Sequence, residues 1–182
     1  LTNDFVFILM GPQGKYNDRL WKKVVPSSIL KNIELMFGLG SDEMNLREVV
    51  SKYPNNIFRT GYLTLAEINC LFKLSGIFIM PNIKVENDME GFGLVALEAC
   101  LNNCIVLAAD IDGITDAIKN EQNGYLIPSA QEKAWVDKIT TLAGQKNLDN
   151  IKKSFKKYTS DQYSWSKMGE EYHQLFQSII HH

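Results

Sequence analysis

Two carboxylates and two glycines stand close together in NDMEGFGLVALEAC, residues 87–100. Glu90 precedes a Gly-Phe-Gly turn, and Glu98 falls in the apolar run after it. A carboxylate among apolar neighbours costs free energy unless a partner meets it. Gly91 and Gly93 flank the start of an expected helix, whose first backbone N–H groups have no intrahelical acceptor. Such a terminus suits phosphate. Carboxylates suit hydroxyls, because charge-assisted hydrogen bonds are the stronger kind. If one helix held both acids, they would lie about 12 Å apart along its axis. That is too far to share a proton, but it fits two ends of an elongated ligand. One acid would meet a sugar hydroxyl and the other a ribose, with phosphates on the amides between them. A plainer arrangement fits the same residues: Glu90 as a favourable charge on the helix dipole, and Glu98 as a solvated helix residue. Residue types alone leave both open.

The elements that must position these groups alternate along the chain. FVFILM (5–10), NIELMFGLG (32–40), NIFRTGYL (56–63), GIFIMP (76–81), CIVLAA (104–109) and GYLIP (124–128) read as short strands. RLWKKVV (19–25), SDEMNLREVVSKY (41–53), TLAEINCLFKLS (64–75), GFGLVALEACLNN (91–103) and GITDAIKN (113–120) read as helices between them. Ser41 is an expected N-cap, and Thr64 with Glu67 an expected capping box. After residue 130 the pattern is helical only. The expectation is an α/β fold: a Rossmann-like parallel sheet of about six strands, helices on both faces, and C-terminal helices beyond it. No linker divides the chain, so a single domain over 1–182 is expected. Ligands of such sheets bind beyond the C-terminal strand ends. That selects the loops 11–17, 38–43, 60–64, 81–93 and 110–115. A dinucleotide fingerprint would need its glycine turn after the first strand. Here the turn follows the fourth, which excludes that assignment.

Bulk properties narrow the class further. A chain of 182 residues with 45% apolar content can bury a core without disulfides or metals. A net charge of −2 without a basic face argues against nucleic acid as a partner. The lysines of KNLDNIKKSFKKY (Lys146, Lys152, Lys153, Lys156, Lys157) recur at helical spacing. They read as a solvated helix face or as a peripheral contact with an anionic membrane. Cys70, Cys100 and Cys104 lie in apolar company, so buried, reduced thiols of a cytoplasmic protein are expected. No run of about 18 apolar residues occurs, so no spanning helix is expected. The start in a strand pattern and the terminal His181-His182, which reads as a tag remnant, suggest a piece of a longer protein.

The stretch PNIKVENDMEGFGLVALEACLNNCIVLAADIDGITDAIKNEQNGYLIP resembles the C-terminal, donor-binding domain of the family 4, or group 1, glycosyltransferases of GT-B fold. Glu90 and Glu98 match that family's E-x7-E motif, residues 90–93 its EGFG turn, and Asn123 through Pro128 its NG-x-L-x-P segment. YSWSKMGEEYHQLF (163–176) is similar to its closing helix. The resemblance implies a retaining transferase acting on a nucleotide-diphosphate sugar, UDP- or GDP-linked, with no metal and no further cofactor. It implies Glu90 as the catalytic position, binding hydroxyls of the transferred sugar, and Glu98 as the holder of the ribose hydroxyls. The turn Gly91-Phe92-Gly93 and the amides of Gly93, Leu94 and Val95 would meet the diphosphate. Backbone near Tyr62 and Leu63 would receive the base. The acceptor would sit mainly on an N-terminal domain absent from this chain, in cell-surface or capsular polysaccharide synthesis at the inner face of the membrane.

Two departures qualify the resemblance. The family's first loop reads G-R-x4-K-G, its two cations gripping the diphosphate. Aligned from Gly11, this chain has Pro12 and Asn17 at those positions, leaving Lys15 as the one cation in the loop. Lys22 and Lys23 are more distant candidates. Loss of the pair keeps a second reading open: a non-catalytic nucleotide-sugar-binding module. The family's G-G-x-P-E is replaced by DGITD, with Asp112, Thr115 and Asp116 at the changed positions. Asp116 is then expected to cap or orient the next helix.

Overall fold

The computed structural model describes residues 5–11, 42–84 and 91–180. The chain divides into two compact units, Leu1–Leu65 and Ala66–His182. The expected strand over 32–40, the helix over 19–25 and the Ser41 cap lie outside the described residues.

In the first unit β1 (Phe7–Met10) pairs in parallel with β2 (Ile57–Gly61), and α1 (Asp42–Lys52) precedes β2. Phe7 stands opposite Ile57 and Leu9 opposite Arg59, with an irregularity between Leu9 and Met10. The pair is closed at its start by Asn56. Its carbonyl accepts from the Phe7 N–H at 2.7 Å, and its Nδ2 donates to the Phe5 carbonyl at 2.9 Å. Along β2, half-buried Ile57, Arg59 and Gly61 alternate with exposed Phe58 and Thr60, the period of a strand with one covered face.

The second unit carries the core. Its parallel sheet has the order β3 (Ile77–Met80), β4 (Ile105–Ala109), β5 (Tyr125–Ile127), with Ile77 beside Ile105 and Leu107 beside Tyr125. α2 (Leu65–Leu74) leads into β3, α3 (Leu94–Leu101) joins β3 to β4, and α4 (Ile114–Ala117) leads toward β5. Then follow α5 (Glu132–Ala143), α6 (Leu148–Gln162) and α7 (Trp165–Ile180). Every residue of β4 is buried, as expected of a central parallel strand without a solvent face. α3 and α6 pack on β4 and on each other. Between them Thr159 donates its hydroxyl to Cys100 Sγ at 3.2 Å, with both residues fully buried. Phe155 meets Tyr125 edge-on, and Phe72 meets Phe78 likewise, at centroid distances of 5.4 and 5.5 Å.

α3 stops where its sequence turns to Asn-Asn. Asn103 takes a left-handed φ of 69°, the Cys104 N–H donates to the Ala99 carbonyl at 3.0 Å, and the Asn103 N–H to Cys100. This pair of bonds satisfies the last carbonyls and feeds the chain directly into β4. The end of α4 is held by Asn123, itself without exposed surface. Its Oδ1 accepts from the Lys119 N–H at 2.7 Å, and its Nδ2 donates to the Ala117 carbonyl at 2.9 Å. Gly124 is required by space: a Cβ there would lie 2.8 Å from Ile118 Cγ2 and 3.1 Å from the Val106 carbonyl oxygen. The NG of the recognisable segment is therefore a structural joint.

The described strands number five, in sheets of two and three, against the single sheet of about six expected from the sequence. The thiol expectation needs one correction. Cys100 and Cys104 are buried, but Cys70 is exposed. On α2 it shares a face with exposed Glu67, Lys73 and Leu74, whereas Phe72 supplies the buried contact. The lysines of α6 are exposed except Lys152, which is half-buried, and Lys157 pairs with Asp161 at 2.6 Å one turn on.

Candidate functional site

The apolar, short-side-chain sequence LVALEACL lets α3 sink into the core on most of its circumference. Ala96, Leu97, Ala99 and Cys100 are buried. Leu94, Glu98 and Leu101 are exposed, and their spacing of four and three puts them on one stripe. Glu98 is the only charge on this helix, and the packing turns it to the open side. It sits one turn from Leu94, about 6 Å along the axis.

At the helix start Gly93 is the N-cap, with φ 72° and ψ 41° and no side-chain capping bond. The space around it would admit a Cβ, with Met80 Cε and Ile114 Cγ1 each 3.7 Å away. The left-handed φ is what calls for glycine. The Ala96 N–H returns to the Gly93 carbonyl at 2.9 Å. The N–H groups of Leu94 and Val95, at the first two helical positions, come before any intrahelical acceptor can reach them. Gly91–Gly93 are not helical, so the 12 Å separation that assumed both acids on one helix does not apply. Glu90 lies outside the described residues.

The turn before α3 is braced from α6. The ring of Phe92 meets that of Tyr163 edge-on, with centroids 6.0 Å apart. The Tyr163 hydroxyl donates to the Asp116 carbonyl at 2.9 Å. Burial first, then Tyr158 and Asp116 nearby, push the Tyr163 phenol above its ordinary range. Asp116 lies inside α4, and it is its main-chain carbonyl that takes part in this contact. In the loop after β4, Asp112 has a left-handed φ of 40° and pairs with Lys84 of the loop after β3 at 3.7 Å.

In the first unit, the loops after β1 and β2 are joined at their starts. The Gly11 N–H donates to the Gly61 carbonyl at 3.3 Å, and both glycines have positive φ, 143° and 71°. Gly11 and Tyr62 are thereby brought to one end of this pair of strands. Tyr62 is 85% exposed and Leu63 half-buried. Lys15, Pro12, Asn17, Lys22 and Lys23 lie outside the described residues. The structure therefore brings Gly11, Tyr62 and Leu63 together in one unit, and Gly91 to Val95 with Glu98 in the other. Tyr163 was not singled out from the sequence. Its partners are far away along the chain, and no local pattern announces them.

The family described as "Glycosyl transferases group 1" matches residues 15–162. A D-inositol 3-phosphate glycosyltransferase of Corynebacterium urealyticum is 25% identical over 113 residues, 62% of this chain and 26% of that protein. The chain spans well under a third of the curated relatives it matches. Among solved structures, the C-terminal domain of a group 1 glycosyl transferase from Francisella tularensis matches with TM-score 0.58 and 24% identity, over 72% of this chain and 65% of that one. HepE of Anabaena, in complex with UDP and glucose, matches with TM-score 0.64 and 16% identity, over 95% of this chain and 40% of that one. These two likenesses establish the α/β fold expected from the sequence. Among the described residues, no helix is long and apolar enough to cross a membrane.

Proposed function

Because this chain belongs to the group 1 glycosyl transferases, we propose that it is the donor-binding part of a retaining enzyme that moves a sugar from a nucleotide diphosphate to a glycan or lipid-linked acceptor. The observation that carries this reading is the open face of α3. Uncapped amides at its start and a lone outward carboxylate one turn later are the groups that suit a phosphate and a sugar hydroxyl. In this assignment the amides of Gly93, Leu94 and Val95 receive the diphosphate, helped by the positive end of the helix dipole. Glu98 accepts from the ribose hydroxyls. Within the first unit, taken by itself, the backbone near Tyr62 and Leu63 keeps the role toward the base assigned from sequence, and Gly11 opens the loop expected to meet the diphosphate. Glu90 and Lys15 keep the roles assigned from sequence, at the transferred sugar and at the diphosphate. The acceptor belongs to an N-terminal domain, and donor binding needs no metal. A cytoplasmic location completes the reading, at the inner membrane face if the α6 lysines meet anionic lipid.

The test is calorimetric titration of the chain with UDP, GDP and their sugars, with and without EDTA, beside Glu98→Ala. Saturable binding of one nucleotide, unaffected by EDTA and weakened about ten- to hundredfold by the substitution, is the expected result. That range corresponds to a hydrogen bond to a charged group, about 1.5–3 kcal/mol. Equal affinities for wild type and variant would remove Glu98 from the site. Pro12 and Asn17 favour a second reading, a module that binds donor without transfer. Sugar transfer by the protein that carries the acceptor domain decides between them.

A further inference from the structure

We propose that Tyr163, at the end of α6, is a positioning residue that sets the aim of the α3 amides by clamping the turn before them. The inference rests on the donor reading of that helix start. The turn Gly91-Phe92-Gly93 contains two residues without side chains, and α3 has no side-chain cap. Phe92 is thus the one side chain through which the turn itself can be held. It is 41% exposed, and the ring it meets is that of Tyr163.

Tyr163 is itself well anchored. It occupies the C-cap of α6, and its N–H donates to the carbonyl of Thr159 at 2.9 Å. Thr159 is buried and bonded to Cys100 of α3. The ring of Tyr163 then reaches the start of α3, while its hydroxyl reaches Asp116 in α4. These two segments follow β3 and β4, and both belong to the C-terminal end of the sheet, where ligands of this architecture bind. One side chain therefore ties together two neighbouring rims of the site without belonging to either. A glycine turn left unbraced samples many conformations, and amides that wander lose their preorganisation toward an anion.

The experiment compares wild type, Tyr163→Leu, Tyr163→Phe, Phe92→Leu and the double variant Phe92→Leu/Tyr163→Leu. In the unliganded chain, amide order parameters at Phe92 and Gly93 should fall in Tyr163→Leu from the rigid range near 0.85 toward 0.6. They should recover in Tyr163→Phe, which keeps the ring, while those of Val106 and Leu107 stay unchanged. Unchanged order at Phe92 and Gly93 in Tyr163→Leu overturns the proposal. If Tyr163→Leu does not fold, Phe92→Leu carries the same test at Gly93, and unchanged order there overturns it equally. Titration with UDP and GDP is the second arm. Each Leu variant should weaken the bound nucleotide about three- to tenfold, the range an aromatic pair supplies, and the double variant no further. Additive losses would show that the two rings act independently, and would overturn the clamp. If wild type binds neither nucleotide, the donor reading fails, and the order parameters alone decide the clamp.

Discussion

α3 and α7 are both rich in apolar residues, and they meet water in opposite ways. α3 has eight residues, half of them buried, and turns its single charge outward. α7 has sixteen residues and places Trp165, Met168, Tyr172, Leu175, Phe176 and Ile179 at spacings of three and four, yet none of them is buried. A one-sided pattern states that a helix has a face to cover, without stating what covers it. A helix that is apolar nearly all round belongs in a core, so a charge on it is informative. Glu98 is such a charge. Glu170 and Glu171 on α7 are ordinary residues of a polar face.

The largest expected effect probes the core around α3. Leu107→Ala, in a strand without exposed surface, should cost about 2–5 kcal/mol in urea unfolding. A loss below about 1 kcal/mol would deny β4 its central place. Asn123→Ala should cost about 1–3 kcal/mol, because the buried Ala117 carbonyl and the half-buried Lys119 N–H lose their partner. Glu98→Ala should leave urea stability within about 0.5 kcal/mol, as at an ordinary exposed position, while nucleotide affinity falls. A variant that loses stability instead would make Glu98 structural. Phe176→Ala on α7 should change stability of this chain by no more than about 0.5 kcal/mol. A cost like that of Leu107→Ala would abolish the contrast between the two helices.

A pH prediction concerns the thiol below α3. Burial pushes Cys104 up to about 11 from the ordinary 9.0, with Lys152 opposing. The unfolded thiol ionises first as pH rises, so its contribution to stability is complete below pH 9 and is lost as pH climbs through 11. Urea midpoints across that window should decline less steeply in Cys104→Ala than in wild type. In native protein, Cys70 should react with a thiol reagent, and Cys100 and Cys104 only after unfolding.

Much of this was legible because it is local. The strand runs at 5–10, 56–63, 76–81, 104–109 and 124–128 each contain an observed strand, since apolar runs suit the interior of a parallel sheet and the alternation at 57–61 suits a strand with one covered face. The helix bearing Glu98 was legible too, with a start three residues later than the apolar pattern suggested. The left-handed Gly93 postponed it. Cys70 was misjudged because apolar neighbours in sequence need not be neighbours in space. On a helix, the face decides.

The sequence by itself determined the alternation of strand and helix and the pairing of a glycine turn with a carboxylate eight residues beyond Glu90. Those depend on periodicity and spacing, which a chain carries along its length, while the family was legible through resemblance to its motifs. Only the tertiary structure decided that Glu98 faces outward, that Asn123 and Gly124 serve as a joint, and that Tyr163 braces Phe92. Each of these depends on which distant segments the packing of α3, α6 and the sheet brings within contact distance. Dispersion and hydrogen bonding act over a few ångströms, so such contacts exist only once the core has closed.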